Sequence, residues 1–256
     1  MFISVLIALA ATRVAAQSGR ITIHPEVRAS AGEQLTLAEQ LRGRISGAID
    51  EEARAYAVGF AAATAQAVQG KWPDDHEAVF ASHLLVAAIF EEGRWIRNAE
   101  EELQRSRGVA KRLGREALVD ARLSSIYLRL NDEKRARQAA ADAVAVDALK
   151  SLDAMQQASV LQKAALVFAD LGLHRDAADC FTRATKLNAL SPFRRTELAV
   201  AAAKHHRKAG DRVAARNEAG RARRFLSEAR AQGRKGDAGF EAFESLERAI
   251  AAFEAE

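Results

Sequence analysis

The stretch Ala158–Ser191, ASVLQKAALVFADLGLHRDAADCFTRATKLNALS, decides the fold. Ala164, Ala165 and Phe168 recur at helical spacing, and Gly172 interrupts the pattern where a turn must fall. Ala177, Phe181 and Ala184 then resume it. Small residues let two helices approach closely, and the aromatic rings fill the space between them. The stretch predicts a hairpin of two helices closed on a seam of alanine.

The same spacing recurs on either side. Upstream stand Leu123, Ser124, Tyr127, Asn131, Ala136, Ala140 and Ala143, with asparagine at the turn. Further upstream stand Val86, Ala87, Phe90, Arg94, Ala99 and Leu103, and downstream Ala202, Ala203, His206, Gly210, Ala215, Ala219 and Ala222. The copies begin at Phe80, Ala117, Ala158 and Thr196, at offsets of 37, 41 and 38 residues. This pattern resembles a tetratricopeptide repeat, whose period is about 34 residues. The resemblance runs from about Asp74 to Arg230. It implies an all-α protein, an α-solenoid of antiparallel helix pairs forming a TPR-like superhelix with somewhat lengthened repeats.

Composition agrees. Of 256 residues 58 are alanine and three are proline, with one cysteine, so collagen-like, disulfide-stapled and proline-rich disordered classes are excluded. Alanine is the best helix former, and strand-favouring residues are sparse. The domain reading is a signal peptide over 1–16, an extended segment over 17–32, an N-terminal helical pair over 33–70, the repeat array over 74–232 and a capping helix over 237–256. Within it, Thr36 and Glu39 form a capping box, Asp50 and Asp74 cap helices, and Ser191-Pro192 opens another. Gly233–Gly239, GRKGDAG, reads as a loop.

The first residues are apolar from Phe2 to Ala11 except for Ser4, and Val14-Ala15-Ala16 offers small residues for cleavage. That pattern predicts export to the periplasm or beyond, although no Lys or Arg precedes the apolar run. The run is too short to span a bilayer, and a cytoplasmic location is the alternative. Cys180, which follows Ala177-Ala178 and Asp179 and precedes Phe181 in a helical pattern, reads as a buried, inert thiol.

No phosphate-binding glycine loop or nucleophile elbow occurs. The histidines are His24, His76, His83, His174, His205 and His206. His76 and His83 can share a helix face, but zinc needs three or four convergent ligands, so these histidines read as solvated or turn residues. The acidic runs Asp50-Glu51-Glu52, Asp74-Asp75 and Glu100-Glu101-Glu102 read as helix surface, several at N-termini where the macrodipole favours them. The sequence implies no enzyme, no cofactor and no metal.

Charge is concentrated. The net charge is +4, yet residues 194–235 carry +9 and residues 236–256 carry −5. One reading of the basic block is a contact with nucleic acid or an acidic partner. The other is a solvated, arginine-rich helix neutralised by the acidic C-terminal helix. Aromatic stacking residues are nearly absent from the block, Phe225 being the one it holds.

What the tetratricopeptide resemblance implies is a non-catalytic scaffold for a protein or peptide partner, with the first helix of each pair lining a concave face. Carried onto matching positions, that face takes Leu84, Ala88, Glu91 and Glu92 from the first pair. The second gives Leu118, Ala121, Ser125, Leu128 and Arg129. The third gives Gln162, Leu166 and Asp170, and the fourth Val200, Lys204, Arg207 and Lys208. Such a groove would grade from acidic to basic and would favour an extended peptide of matching gradient.

Overall fold

A computed structural model describes residues 30–232 and 240–254. The expected signal peptide, most of the extended segment and the Gly233–Gly239 loop lie outside the described residues. Among those described, the helices are α1 Ala31–Arg42, α2 Glu51–Lys71, α3 His76–Glu92, α4 Ile96–Leu113, α5 Glu116–Arg129, α6 Glu133–Val144, α7 Val146–Leu149, α8 Ala154–Asp170, α9 His174–Thr185, α10 Pro192–Lys208, α11 Arg212–Gln232 and α12 Phe240–Glu254. They divide into two compact units, Met1–Leu113 and Gly114–Glu256.

Local chemistry starts most of the helices. The side chains of Asp50, Asp132, Asp153, Ser191 and Asp211 each accept from the backbone N–H three residues on. Asp153 and Gln156 complete a reciprocal capping box. Two expectations are corrected. Asp75, not Asp74, caps α3. The cap of α1 is Ser30, so Ala31 and Gly32 are helical, and Thr36 sits inside the helix with its hydroxyl donating to Gly32 O.

The repeat is written most clearly in its turns. Arg94, Asn131, Gly172 and Gly210 all have positive φ, at 64°, 58°, 73° and 82°. In each case the next N–H donates back to the carbonyl five residues earlier: Trp95 to Phe90, Asp132 to Tyr127, Leu173 to Phe168, Asp211 to His206. The left-handed residue itself donates to the carbonyl three before it. Those two bonds make a Schellman motif, which satisfies carbonyls that the helix end leaves unpaired. The accepting residue is always the repeat's aromatic or histidine. In the first turn its ring also stacks on Trp95, with centroids 5.9 Å apart.

The seams are as tight as the alanine pattern predicts. Ala87 and Ala99, Ser124 and Ala136, Ala165 and Ala177, and Ala203 and Ala215 are all buried at equivalent positions in the four pairs. Linkers between pairs vary instead. Two residues separate α4 from α5 and six separate α9 from α10, whereas nine, including α7, lie between α6 and α8. That insertion accounts for the 41-residue offset.

In the unit Met1–Leu113, α1 and α2 pack together and both meet α3. Gly93 lies so close to α2 that an added Cβ would stand 2.5 Å from a Val58 methyl carbon. The glycine of this turn is therefore spent on helix contact, and Arg94 takes the left-handed position. In the unit Gly114–Glu256, Ile250 and Phe253 of α12 pack on Ala199, Ala203, Ala219, Ala222 and Leu226 of α10 and α11.

Candidate partner-binding face

The residues carried over from the repeat pattern fall into distinct environments. In the first unit, Glu92 accepts two hydrogen bonds from the Arg42 guanidinium of α1, at 3.0 and 2.9 Å. Its charge is thus matched within the protein. Glu91 is half-buried.

In the second unit, Gln162, Leu166 and Asp170 follow one face of α8 at four-residue steps. Gln162 Oε1 accepts from Arg194 Nη2 at 2.6 Å, which ties α8 to α10 on this side. Leu166 is 50% exposed, while Leu161, Val167 and Phe168 of the same helix are buried. Asp170, Lys204, Lys208 and Arg129 are exposed, and Leu128 is half-buried. Two residues of α10 turn elsewhere. Val200 packs against the α12 cluster, and the Arg207 guanidinium lies 4.7 Å from the Phe253 ring centroid.

Much of the basic block is engaged inside the protein. Arg194 also donates to Glu197, Arg195 stacks at 3.9 Å on Phe225 and donates to Thr185 O, Arg221 bonds Glu218, and Arg230 forms a bidentate pair with Glu247. The last pair holds the Glu247 carboxyl below its usual range. Neutralisation by the C-terminal helix, expected from sequence, is visible in that contact.

Several titratable groups that the sequence reading placed on the surface are buried. Glu102 is 1% exposed. Its carboxylate takes His83 Nδ1 at 2.8 Å, Gln69 Nε2 at 3.1 Å and Arg105 Nη1 at 3.2 Å. Burial pushes its pKa up, but the His83 and Gln69 hydrogen bonds outweigh this, and the net direction is below the usual glutamate value. An ionised carboxylate only accepts, so His83 carries its hydrogen on Nδ1, and Gln69 spends its second hydrogen on Ser82 Oγ at 3.2 Å. His83 and His76 therefore do not converge, since His76 Nε2 faces Arg112 at 3.4 Å. Among the described residues no three metal-capable side chains form a group.

The second unit buries Glu218, at the equivalent repeat position, to 5% exposure. Its Oε1 accepts from Thr182 at 3.2 Å and Arg221 at 2.8 Å, while its Oε2 is buried without a hydrogen-bond partner. Nearby, His205 is buried against Phe181, ring centroids 5.7 Å apart, with its Nδ1 3.3 Å from that of His174. Burial, then the His174 charge, lowers its pKa, so its imidazole is neutral at neutral pH. Burial pushes the Cys180 thiol up to about 12, as an inert core residue requires.

The sequence signal that could have exposed these groups is helical phase. Glu102 falls between Ala99, Leu103 and Ser106 on the buried stripe, and Glu218 between Ala215, Ala219 and Ala222.

Helix pairs closed on alanine, with equivalent left-handed turns and seam positions, define the class of fold: the chain has a tetratricopeptide-like helical repeat fold of the α-solenoid type. Solved structures agree. BtubC (BKLC) from P. vanneervenii has a TM-score of 0.56 at 17% identity, covering 92% of this chain and 91% of that one. A Podosopora anserina kinesin-light-chain-type protein of nearly identical TPR-like repeats has a TM-score of 0.55 at 18% identity, covering 83% of this chain and 99% of that one. At such identities the likeness concerns the fold. No family model matches the chain, and no curated protein matches it in sequence. Among the described residues, no helix is long and apolar enough to cross a membrane.

Proposed function

We propose that the chain is a non-catalytic, exported scaffold that holds a protein or peptide partner on the first helices of its repeat pairs. In the unit Gly114–Glu256 the face is formed by Leu128 and Arg129 of α5, Leu166 and Asp170 of α8, and Lys204 and Lys208 of α10. The observation that carries this reading is Leu166, half exposed on a helix whose neighbouring apolar side chains are buried. An apolar side chain amid exposed charges supplies burial area to a partner, and the charges supply orientation. The fold supports a general interaction role of this kind. Export rests on the apolar run before Gln17.

Leu166→Glu together with Lys204→Glu is expected to abolish capture of the native partner by the tagged chain in its host, with the helical content unchanged. Capture at the wild-type level by that variant would overturn the face. Cell fractionation with N-terminal sequencing tests export, and a mature chain starting near Gln17 is the expected result.

A further inference from the structure

We propose that His174 and His205 form an acid-sensitive latch between α9 and α10, closed while the pair carries at most one positive charge and loosened when it carries two. Their Nδ1 atoms stand 3.3 Å apart, within hydrogen-bond reach, so one nitrogen donates and the other accepts. Two neutral rings do this in one tautomer, and a singly charged pair does it as a charge-assisted bond. Two imidazolium rings have only N–H groups to offer each other, and their like charges meet where the bond was.

The surroundings give the second charge little relief. His205 is 8% exposed in the last turn of α10, with its ring stacked on Phe181 of α9. His174 is the first residue of α9, half-buried directly after the left-handed turn at Gly172. From α8, Asp170 favours a charged His205, and Lys204 and Lys208 of α10 oppose it. The buried charge of α11, Glu218, is bonded to Thr182 and Arg221. From α12, Ile250 and Phe253 reach this pair of helices, and Arg207 of α10 lies over the Phe253 ring. Burial, the His174 charge and the two lysines together outweigh Asp170, so the His205 pKa lies below its ordinary value.

In the unfolded chain both rings take up protons near pH 6.5, while folded His205 stays neutral to lower pH. The unfolded state therefore binds more protons as pH falls from about 6.5 through the lowered folded value, and stability is lost across that window. Asp170, Lys204 and Lys208 belong to the partner face proposed above. Weaker holding of a partner in acid rests on that reading, whereas the latch itself does not.

The test compares the full chain at about pH 7.5 and about pH 5, on either side of the ordinary histidine value. Hydrogen exchange of the α9 and α10 amides, corrected for its intrinsic pH dependence, reads the opening of the joint. In His174→Gln an amide can still meet His205 Nδ1 but brings no charge. Acid should therefore raise opening about tenfold more in wild type than in His174→Gln, the equivalent of one pKa unit of coupling. In an NMR titration the His205 ring should have a midpoint below 6.5 that moves upward in His174→Gln, where burial remains and the neighbouring charge is gone. His76→Gln should leave both readouts at wild-type values. A His205 midpoint at the ordinary value, one unmoved by His174→Gln, or equal acid sensitivity of exchange in wild type and His174→Gln would overturn the latch. Partner capture should fall at about pH 5 in wild type and persist in His174→Gln. Capture that ignores pH while the exchange difference stands would overturn the link to the face, and the Leu166→Glu, Lys204→Glu variant tests the face by itself.

Discussion

The first and last helix pairs carry the same device with different outcomes. Each has a Schellman turn, and each places a buried glutamate twelve residues after the accepting carbonyl, with an arginine three residues further on. In the first pair Glu102 meets His83 and Gln69 as well as Arg105. In the last pair alanine, Ala199, occupies the position of His83, and Glu218 keeps one oxygen without a partner. A buried carboxylate costs several kcal/mol to desolvate unless its lone pairs are filled. The same residue at the same repeat position is thus a fully answered core element in one pair and a partly answered one in the other.

The comparison can be broken most severely at His83. His83→Ala removes the shortest partner of Glu102 and is expected to cost about 3 kcal/mol, as breaking a buried pair does. Urea denaturation measures it, and a loss under about 1 kcal/mol would mean that Arg105 and Gln69 suffice. Neutralising the carboxylates separates the pairs by sign. Glu102→Gln should lose about 1–2 kcal/mol, whereas Glu218→Gln should gain about 0.5–1 kcal/mol by removing the buried charge whose second oxygen has no hydrogen-bond partner. Equal effects in both variants would sink the contrast.

Acid sharpens it further. The folded-state pKa of Glu102 lies below its unfolded value, so its stabilisation is present above about pH 4.5 and fades as pH falls through the lowered folded value. The stability gap between wild type and Glu102→Gln should close over that window. The smallest effect lies in the turns. Arg94→Gly should stabilise the first pair by about 0.5 kcal/mol, and Gly210→Ala should destabilise the last by about 1 kcal/mol, because only glycine adopts positive φ without steric cost. Thermal midpoints of the two variants should move in opposite directions.

The hairpins were legible because alanine at seam positions and Gly172, Gly210 and Asn131 at turns are local signals. Arg94 aligned with them by spacing alone, and its left-handed backbone follows from a packing fact, the approach of Gly93 to Val58. Glu102 was hidden by its neighbours: Glu100-Glu101-Glu102 looks like one solvated run, yet a helix rotates its third member onto the inner face. His83 was misread for the complementary reason, since its partners come from α2 and α4, far off in sequence. Of the candidate face, helical spacing made legible the exposure of Leu166, Asp170, Lys204 and Lys208, but not the contacts of Val200 and Arg207. Their contacts with α12 depend on how the C-terminal helix docks.

One further consequence concerns how such a chain can be lengthened or cut. The turns within pairs have a fixed hydrogen-bonded geometry, while the linkers between pairs differ in length. The α7 linker carries Val146 at 69% exposure, while its Leu149 and Leu152 are buried. It offers a natural splice point: a foreign domain inserted beside Val146, or a split of the chain there into complementing fragments, would leave every seam alanine with its partner.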